Sequence, residues 1–225
     1  FNPAADKNIE FNYSLENDDL FVIRSQNKVY LQKLFGLPST MKQCNNEAIL
    51  LAFSGRLCPQ KGIDLLVKTL PRLLTKYSEV QFIALGDGDS AYKTQLSQLA
   101  QSFSAQVGLY LKSDFEKPRQ IFAGADVMLI PSRFEPCGIV ALEALRYGCV
   151  PLVHRTGGLN DIVNKDNGFS FSTFSSLSLY SVLESAIKLY QNKTLWNKLI
   201  KNCLACDFSW DNSALEYEKL YEKLL

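Results

Sequence analysis

The amino-acid sequence predicts an α/β fold in which a Rossmann-like parallel sheet carries helices on both faces. Two observations support this prediction. Apolar runs of strand length recur along the chain without alternating polar residues, a pattern typical of strands that are buried on both faces. Segments with apolar residues at helical spacing separate these runs, so consecutive strands are joined by helices, as in a parallel sheet. Ligands of such sheets bind at the carboxyl ends of the strands.

Each element has its own signal in the sequence. Val29, Leu31 and Leu34 predict a short helix that begins near Ser25 and ends at Gly36. Continuous apolar runs predict strands over residues 48–53, 80–85, 107–111, 127–130, 150–153 and 168–171. Apolar residues at helical spacing predict helices over residues 63–77, 119–123, 177–190, 195–206 and 214–225, with two more around Leu96 and after Gly138.

The sequence indicates three parts. Residues 1–20 are polar and turn-rich and resemble a linker more than a core element. Residues 21–206 contain the alternating strands and helices of the predicted domain, and residues 207–225 form a C-terminal helix. Because the chain does not begin with methionine, we expect it to be a piece of a longer protein.

Composition disfavours several classes of function. With 225 residues, of which 47% are hydrophobic and 21% charged, the chain is able to bury a substantial core. Its net charge of +1 creates no field that attracts nucleic acid or an anionic membrane, so we expect neither as a partner. No apolar run reaches the roughly 18 residues of a membrane span. Six cysteines are too few for a disulfide scaffold in a chain of this length, which favours a reducing compartment such as the cytoplasm.

The loops after three of the predicted strands meet at one rim of the sheet. This rim carries Gly55, Gly86 and Glu135. Gly138 opens the helix that follows Glu135, and the N-terminus of a helix presents free backbone N–H groups and a positive dipole end to an anion. We therefore expect an anionic ligand at this rim.

Charged side chains on the rim suggest what that ligand contains. Arg56 offers a planar guanidinium suited to phosphate oxygens, and Lys61 offers a compact ammonium. If both face the Gly138 helix, they form a clamp for a diphosphate without a metal ion. The alternative is a solvated loop. Glu135 and Glu143 would accept hydrogen bonds from sugar hydroxyls, although Glu143 alone also fits an exposed surface.

Three other patterns carry little functional signal. Asp87 and Asp89 resemble a metal-binding pair, but carboxylates in a turn after a strand more often cap the next helix. Cys203 and Cys206 have no second cysteine pair, which disfavours a zinc site. The first strand is followed by neither a Gly-x-Gly-x-x-Gly motif nor a Walker lysine, which disfavours dehydrogenases and P-loop enzymes.

Five motifs resemble the C-terminal half of glycogen and starch synthases. They are Arg-Leu-x-x-Gln-Lys-Gly at 56–62, Gly-Asp-Gly-Asp at 86–89, Ala-Gly-Ala-Asp at 123–126, Pro-Ser-Arg-Phe-Glu-Pro-Cys-Gly at 131–138, and Arg-Thr-Gly-Gly-Leu at 155–159. The resemblance covers nearly the whole chain. It implies one half of a GT-B fold, in which two Rossmann-like domains enclose the active site. It also implies a retaining glycosyltransferase that needs neither a metal ion nor a cofactor.

The resemblance further implies roles for the rim residues. Arg56 and Lys61 would neutralise the diphosphate of ADP-glucose and stabilise the departing ADP, while Glu135 would hold the glucose hydroxyls. Glucose would pass to the 4-hydroxyl at the non-reducing end of an α-1,4-glucan with retained configuration. The other implied substrate-binding residues are Gly55, Cys137, Gly138, Ile139, Val140, Glu143, Thr156, Gly157 and Gly158.

Three positions depart from the usual pattern of bacterial glycogen synthases. Glu143 is typical of broader Glu-x7-Glu glycosyltransferases, in which it contacts the ribose, so a UDP- or GDP-sugar donor is an alternative. Ser113 stands where many relatives carry an aromatic residue near the adenine. His154 replaces a common basic residue, and we expect it to be solvated rather than catalytic.

The family's N-terminal half supplies an acceptor-side Lys-x-Gly-Gly loop and a histidine near the reacting carbon, and neither is visible in this sequence. We therefore expect this piece to bind ADP or ADP-glucose but to transfer little glucose alone. It would meet the α-glucan acceptor only through the missing N-terminal domain. A catalytically silent nucleotide-sugar-binding module is a further alternative. The location implied is cytoplasmic, or plastid if the source is a plant or alga.

Overall fold

A computed structural model describes residues 1–39 and 48–224, and within these residues the fold contains one six-stranded sheet. The strands are β1 (Ile49–Ser54), β2 (Val80–Leu85), β3 (Val107–Tyr110), β4 (Val127–Ile130), β5 (Val150–His154) and β6 (Phe169–Phe171). They pair in parallel in the order β3-β2-β1-β4-β5-β6. β2 and β4 have the predicted bounds, and every other strand lies within one residue of its prediction.

Helices cover both faces of this sheet. They are α1 (Leu20–Leu34), α2 (Ile63–Lys76), α3 (Ser90–Ser102), α4 (Lys117–Gly124), α5 (Ile139–Arg146), α6 (Leu159–Ile162), α7 (Ser176–Tyr190), α8 (Lys193–Leu204) and α9 (Trp210–Glu222). α2 contacts α3 and α7, whereas α1 contacts α4 and α5 contacts α8. Because the strand order reverses after β3, right-handed crossovers place α2 and α3 on one face and α4 and α5 on the other. The predicted fold class is confirmed.

The burial of the sheet explains why its strands are apolar throughout. Every residue of β2, β4 and β5 is buried. On α2, Leu66, Leu70 and Leu73 are fully buried, and they recur at the spacing of one helix face. A strand covered on both faces has no solvent-facing side, so polar alternation is absent from its sequence.

Residues 1–19 contain turns rather than a helix or strand, but they pack against the core. Ile9 is 7% exposed and Tyr13 is 1% exposed. The Tyr13 hydroxyl donates to Tyr147 O at 2.7 Å and accepts from the Arg24 guanidinium at 3.0 Å. This segment therefore packs against the core, because its buried groups bond to partners far along the chain. The three-part division of the chain stays a prediction.

Two helices, α1 and α9, begin well before their predicted starts. α1 begins at Leu20 rather than near residue 25, and α9 begins at Trp210 rather than at residue 214. α9 has no buried residue among those described. Across the described parts of the chain, every helix is too short or too polar to cross a lipid bilayer.

Candidate active site

The candidate site lies at the carboxyl ends of β1 and β4, where the strand order reverses. These two strands are hydrogen-bonded neighbours, so the loops that follow them leave the sheet side by side. A Cβ atom on Gly62 would lie 1.9 Å from Pro131 O, and one on Gly158 would lie 2.2 Å from Cys137 O. Backbone therefore approaches backbone so closely that only glycine fits at these positions.

Lys61 and Glu135 form an ion pair at this edge. Lys61 Nζ lies 2.5 Å from Glu135 Oε2, and the two side chains are 20% and 13% exposed. Lys61 ends a short 3₁₀ turn after β1, whereas Glu135 lies in the loop after β4. Ser132 Oγ donates to the same carboxylate oxygen at 3.2 Å. A cation and an acceptor for hydroxyl groups are thus held side by side, as a phosphorylated sugar requires.

Arg56 lies on the outer part of the loop that carries Lys61. Its side chain is exposed, and its guanidinium donates to Gln60 Oε1 at 3.3 Å. Gln60 in turn donates to Phe134 O at 3.3 Å, which ties this loop to the loop after β4. Arg56 is therefore accessible to an anion, while Lys61 is already paired with a carboxylate. Their joint action as a diphosphate clamp stays a prediction.

The N-terminus of α5 opens onto the same edge because α5 follows β4. Gly138 precedes it with a φ of 92°, and the N–H groups of Ala141 and Leu142 both donate to Gly138 O. The N–H groups of Ile139 and Val140 come before these first intrahelical donors, so they point out of the helix end. Cys137 is exposed, and Ile139 is 60% exposed, so this end of the helix is accessible.

The loop after β5 contacts the loop after β4 beside Glu135. Gly157 has a φ of 48°, and a Cβ atom there would lie 2.0 Å from Glu135 O. Gly158 N–H donates to Glu135 O at 3.1 Å, and Thr156 Oγ1 donates to Arg133 O at 3.4 Å. The predicted residues of both loops therefore belong to one surface. At its far side, Gly55 lies against Gly86, where an added Cβ would meet Gly55 O at 1.9 Å.

Glu143 lies in the second turn of α5 and is partly buried. This desolvation raises the pKa of its carboxyl above the ordinary value, and the nearby charge of Arg119 partly offsets the shift. A simple exposed surface position does not fit this burial. Its predicted contact with a ribose stays a prediction.

Replacing Glu143 with glutamine is expected to stabilise the fold at neutral pH. The unfolded chain loses the carboxyl proton at a lower pH than the folded chain, since the folded pKa is raised. The free energy of unfolding therefore falls as pH rises from the unfolded pKa, about 4.3, through the folded pKa, and it stays lower above both values. Thermal unfolding should show a higher Tm for Glu143→Gln at pH 7 and no difference below about pH 4.

Glu218→Gln on α9 is the matched control, because Glu218 is exposed. It should leave the Tm unchanged at both pH values. A rise in Tm for Glu143→Gln that is as large below about pH 4 as at pH 7 would contradict this explanation.

His154 is buried, so the expectation that it is solvated is wrong. His154 is 8% exposed, and its Nδ1 lies 2.8 Å from Ser132 O. The ring also packs against Phe171 and Phe174, with centroid distances of 5.3 and 5.1 Å. As the last residue of β5, His154 is enclosed between the loops after β4 and β6.

In the turn after β2, the helix-capping interpretation is confirmed for Asp89. Asp89 accepts from Ala91 N–H at 2.8 Å at the start of α3, and Asp87 pairs with Lys93 at 2.5 Å. Over residues 1–39 and 48–224, no group of three His, Cys, Asp or Glu side chains is arranged to hold a metal ion. Independence from metal ions and cofactors stays a prediction.

Sequence reasoning missed residues that support this edge. Arg133 Nη2 donates to Asp64 Oδ2 at 2.5 Å, and no sequence signal pairs these residues, which are 69 positions apart.

A family model described as "Glycosyl transferases group 1" matches residues 41–202 of the chain. The chain belongs to this family. The group 1 glycosyltransferase chain is 40% identical over 233 residues to a glycogen synthase of Thermosipho melanesiensis and 37% identical over 232 residues to one of Kosmotoga olearia. Each match covers 100% of this chain and 46% of the relative. The chain thus spans about half the length of these curated relatives.

A solved structure supports the same assignment of family and fold. The catalytic domain of starch synthase IV from Arabidopsis thaliana, bound to ADP and acarbose, superposes with a TM-score of 0.84 at 32% identity. The superposition covers 99% of this chain and 46% of that one. A C-terminal domain of a group 1 protein from Francisella tularensis gives a TM-score of 0.65 at 20% identity, which shows the fold alone. The predicted resemblance to glycogen and starch synthases and the GT-B fold are confirmed.

Proposed function

We propose that this chain is the donor-binding half of a glycogen or starch synthase. The complete protein would transfer glucose from ADP-glucose to the non-reducing end of an α-1,4-glucan with retained configuration. The observation that carries the proposal is the Lys61–Glu135 pair, which lies in the loops flanking the accessible N-terminus of α5. The curated relatives named glycogen synthase support this choice of substrate, as does the ADP-bound starch synthase.

The cationic groups act on the diphosphate. Lys61 has three N–H donors and Glu135 occupies one of them, so the ammonium is able to bond a phosphate oxygen without releasing Glu135. Arg56 is exposed and supplies the second cation. Negative charge develops on the departing ADP in the transition state, so preorganised positive groups lower the barrier at that point. The N–H groups of Ile139 and Val140 add the positive end of a helix dipole.

Glu135 acts on the sugar. Its carboxylate is held on one side by Lys61 and Ser132, and its own backbone carbonyl accepts from Gly158 N–H at 3.1 Å. An ionised carboxylate accepts hydrogen bonds only, so it orients glucose through the hydroxyl groups of the ring. The glucan acceptor would approach from the half of the protein that this chain lacks. Glucosyl transfer by the chain alone should therefore be negligible, and robust transfer by it would overturn this division of roles.

Thermal unfolding of the chain with ADP, UDP and GDP tests the nucleotide assignment. A ligand at a hundred times its dissociation constant that binds only the folded state adds about 2.7 kcal/mol. For a chain of this size, that corresponds to a rise in Tm of roughly 5–10 °C. We expect this rise with ADP and a smaller one with UDP and GDP. No rise with any of the three would sink the proposal.

A related transferase that uses a UDP- or GDP-sugar is the second candidate, and Glu143 is the residue that favours it. A larger rise in Tm with UDP or GDP than with ADP would select this candidate. A catalytically silent binding module is the other alternative. Measuring turnover in the full-length parent protein distinguishes it from the proposed enzyme. Unchanged turnover in both Lys61→Ala and Glu135→Ala would mean that these residues do not serve catalysis.

A further inference from the structure

We propose that Asp64 and Arg133 are positioning residues whose ion pair holds the loop after β4 in register with the start of α2. In this register Lys61 meets Glu135. The effect on ligand binding rests on the proposed function, whereas the effect on the loop itself does not.

Two ion pairs join the same two segments with opposite polarity. Lys61 ends the 3₁₀ turn that leads into α2, and Asp64 lies in the first turn of α2. Arg133 and Glu135 lie in the loop after β4. Lys61 Nζ is 2.5 Å from Glu135 Oε2, and Arg133 Nη2 is 2.5 Å from Asp64 Oδ2. If the loop slid along the helix, like charges would approach one another, which is unfavourable. The alternating charges therefore specify a single register.

The backbone of Arg133 is fixed at the same place. Its N–H donates to Gln60 O at 2.8 Å, and its carbonyl oxygen accepts from Thr156 Oγ1 at 3.4 Å. Its guanidinium carbon lies 4.1 Å from the centroid of the Phe174 ring, in the loop after β6. Arg133 thus contacts three of the segments that border the candidate site, and a shift of this residue would be passed to Glu135 two positions later.

Stability does not account for the Asp64–Arg133 pair. The two side chains are 21% and 48% exposed, and ion pairs that are this accessible contribute little to folding. Asp64 Oδ1 is buried and has no hydrogen-bond partner, which is unfavourable. Because the pair adds little stability, we attribute the role of the Asp64 carboxylate to the position that it imposes on Arg133.

The variant Asp64→Ala tests the proposal because two explanations predict opposite signs. Removing a negative charge near an anion site should strengthen ADP binding if only Coulomb attraction matters. We expect ADP to bind about tenfold more weakly, a loss of ~1.4 kcal/mol, because the Lys61–Glu135 geometry loosens. Isothermal titration of the chain with ADP measures this change. Glu216→Ala is the matched control, since it also removes the carboxylate of an ion pair, the one with Lys219 on α9, and should leave ADP affinity unchanged.

The charge-reversed double variant, Asp64→Arg with Arg133→Asp, is a second test of the proposal. It should bind ADP more tightly than Asp64→Ala or Arg133→Ala, since it restores an attractive pair.

Hydrogen exchange without ligand gives a readout that does not depend on nucleotide binding. The amides of residues 132–138 should exchange faster in Asp64→Ala than in the wild type or Glu216→Ala. Unchanged exchange in this segment overturns the positioning role, even if ADP binds as proposed. If the wild type does not bind ADP, the proposed function fails, and faster exchange would still establish the positioning role.

Discussion

The variant Lys61→Ala is expected to bind ADP about 100-fold more weakly than the wild-type chain, a loss of about 2.7 kcal/mol. A charge-assisted hydrogen bond contributes roughly 1.5–3 kcal/mol, so loss of the phosphate contact alone supplies much of this change. The rest comes from Glu135, which is 13% exposed and would face the diphosphate without a neutralising cation. Isothermal titration of ADP into the purified chain measures the loss.

A double variant separates the two contributions. Lys61→Ala combined with Glu135→Gln removes the repulsion as well as the attraction, so it should bind ADP more tightly than Lys61→Ala alone. Lys76→Ala is the matched control because it breaks another Lys–Glu pair, with Glu184, between α2 and α7. That control should bind ADP like the wild type. Wild-type affinity in Lys61→Ala would remove Lys61 from the donor site.

The sheet could be predicted from sequence because its strands are buried on both faces. β2 and β4 consist of apolar runs that end at a turn residue, so the ends of each run mark the ends of the strand. α1 is different, because its buried residues include Arg24, Lys28 and Gln32. Lys28 pairs with Asp126 at 2.5 Å, a contact between residues 98 positions apart. An apolar pattern does not reveal a helix that buries paired polar groups.

In the candidate site, too, the sequence predicts features that depend on local patterns but not contacts between distant segments. The sequence placed Lys61 and Glu135 on one rim, because both follow strands of a parallel sheet. It did not predict their ion pair, which depends on β1 and β4 being neighbours although residues 55–126, which contain β2 and β3, lie between these two strands in the chain. Strand order is a property of the whole sheet, and no local pattern in the sequence encodes it.

His154 shows why exposure is hard to predict for a polar residue at a strand end. It replaces a common basic residue of the family and was expected to be solvated, but the loops after β4 and β6 fold over it and supply Ser132 O and Ser172 O as partners. Burial of a polar side chain is favourable only where such partners exist. Those partners come from loops whose paths the sequence does not specify.

The variant Gly62→Ala is expected to lose stability for two reasons, backbone conformation and overpacking. Gly62 has a φ of 73°, and an added Cβ would lie 1.9 Å from Pro131 O. The left-handed conformation costs a non-glycine residue about 1–2 kcal/mol, and overpacking against fixed backbone costs about 1–3 kcal/mol more. Each kcal/mol lowers the Tm of a chain of this size by about 2–4 °C.

The variant Gly36→Ala separates these two costs. Gly36 has a φ of 69°, close to that of Gly62, but nothing lies within 4 Å of an added Cβ. Thermal unfolding should therefore show a smaller loss of Tm for Gly36→Ala, and the difference between the two variants measures the clash with Pro131. Only Gly62→Ala should also weaken ADP binding in the folded chain, because Gly62 directly follows Lys61. Equal losses of Tm would show that the loop after β4 yields to the methyl group, so that the close approach of Gly62 to Pro131 does not hold Lys61 against Glu135.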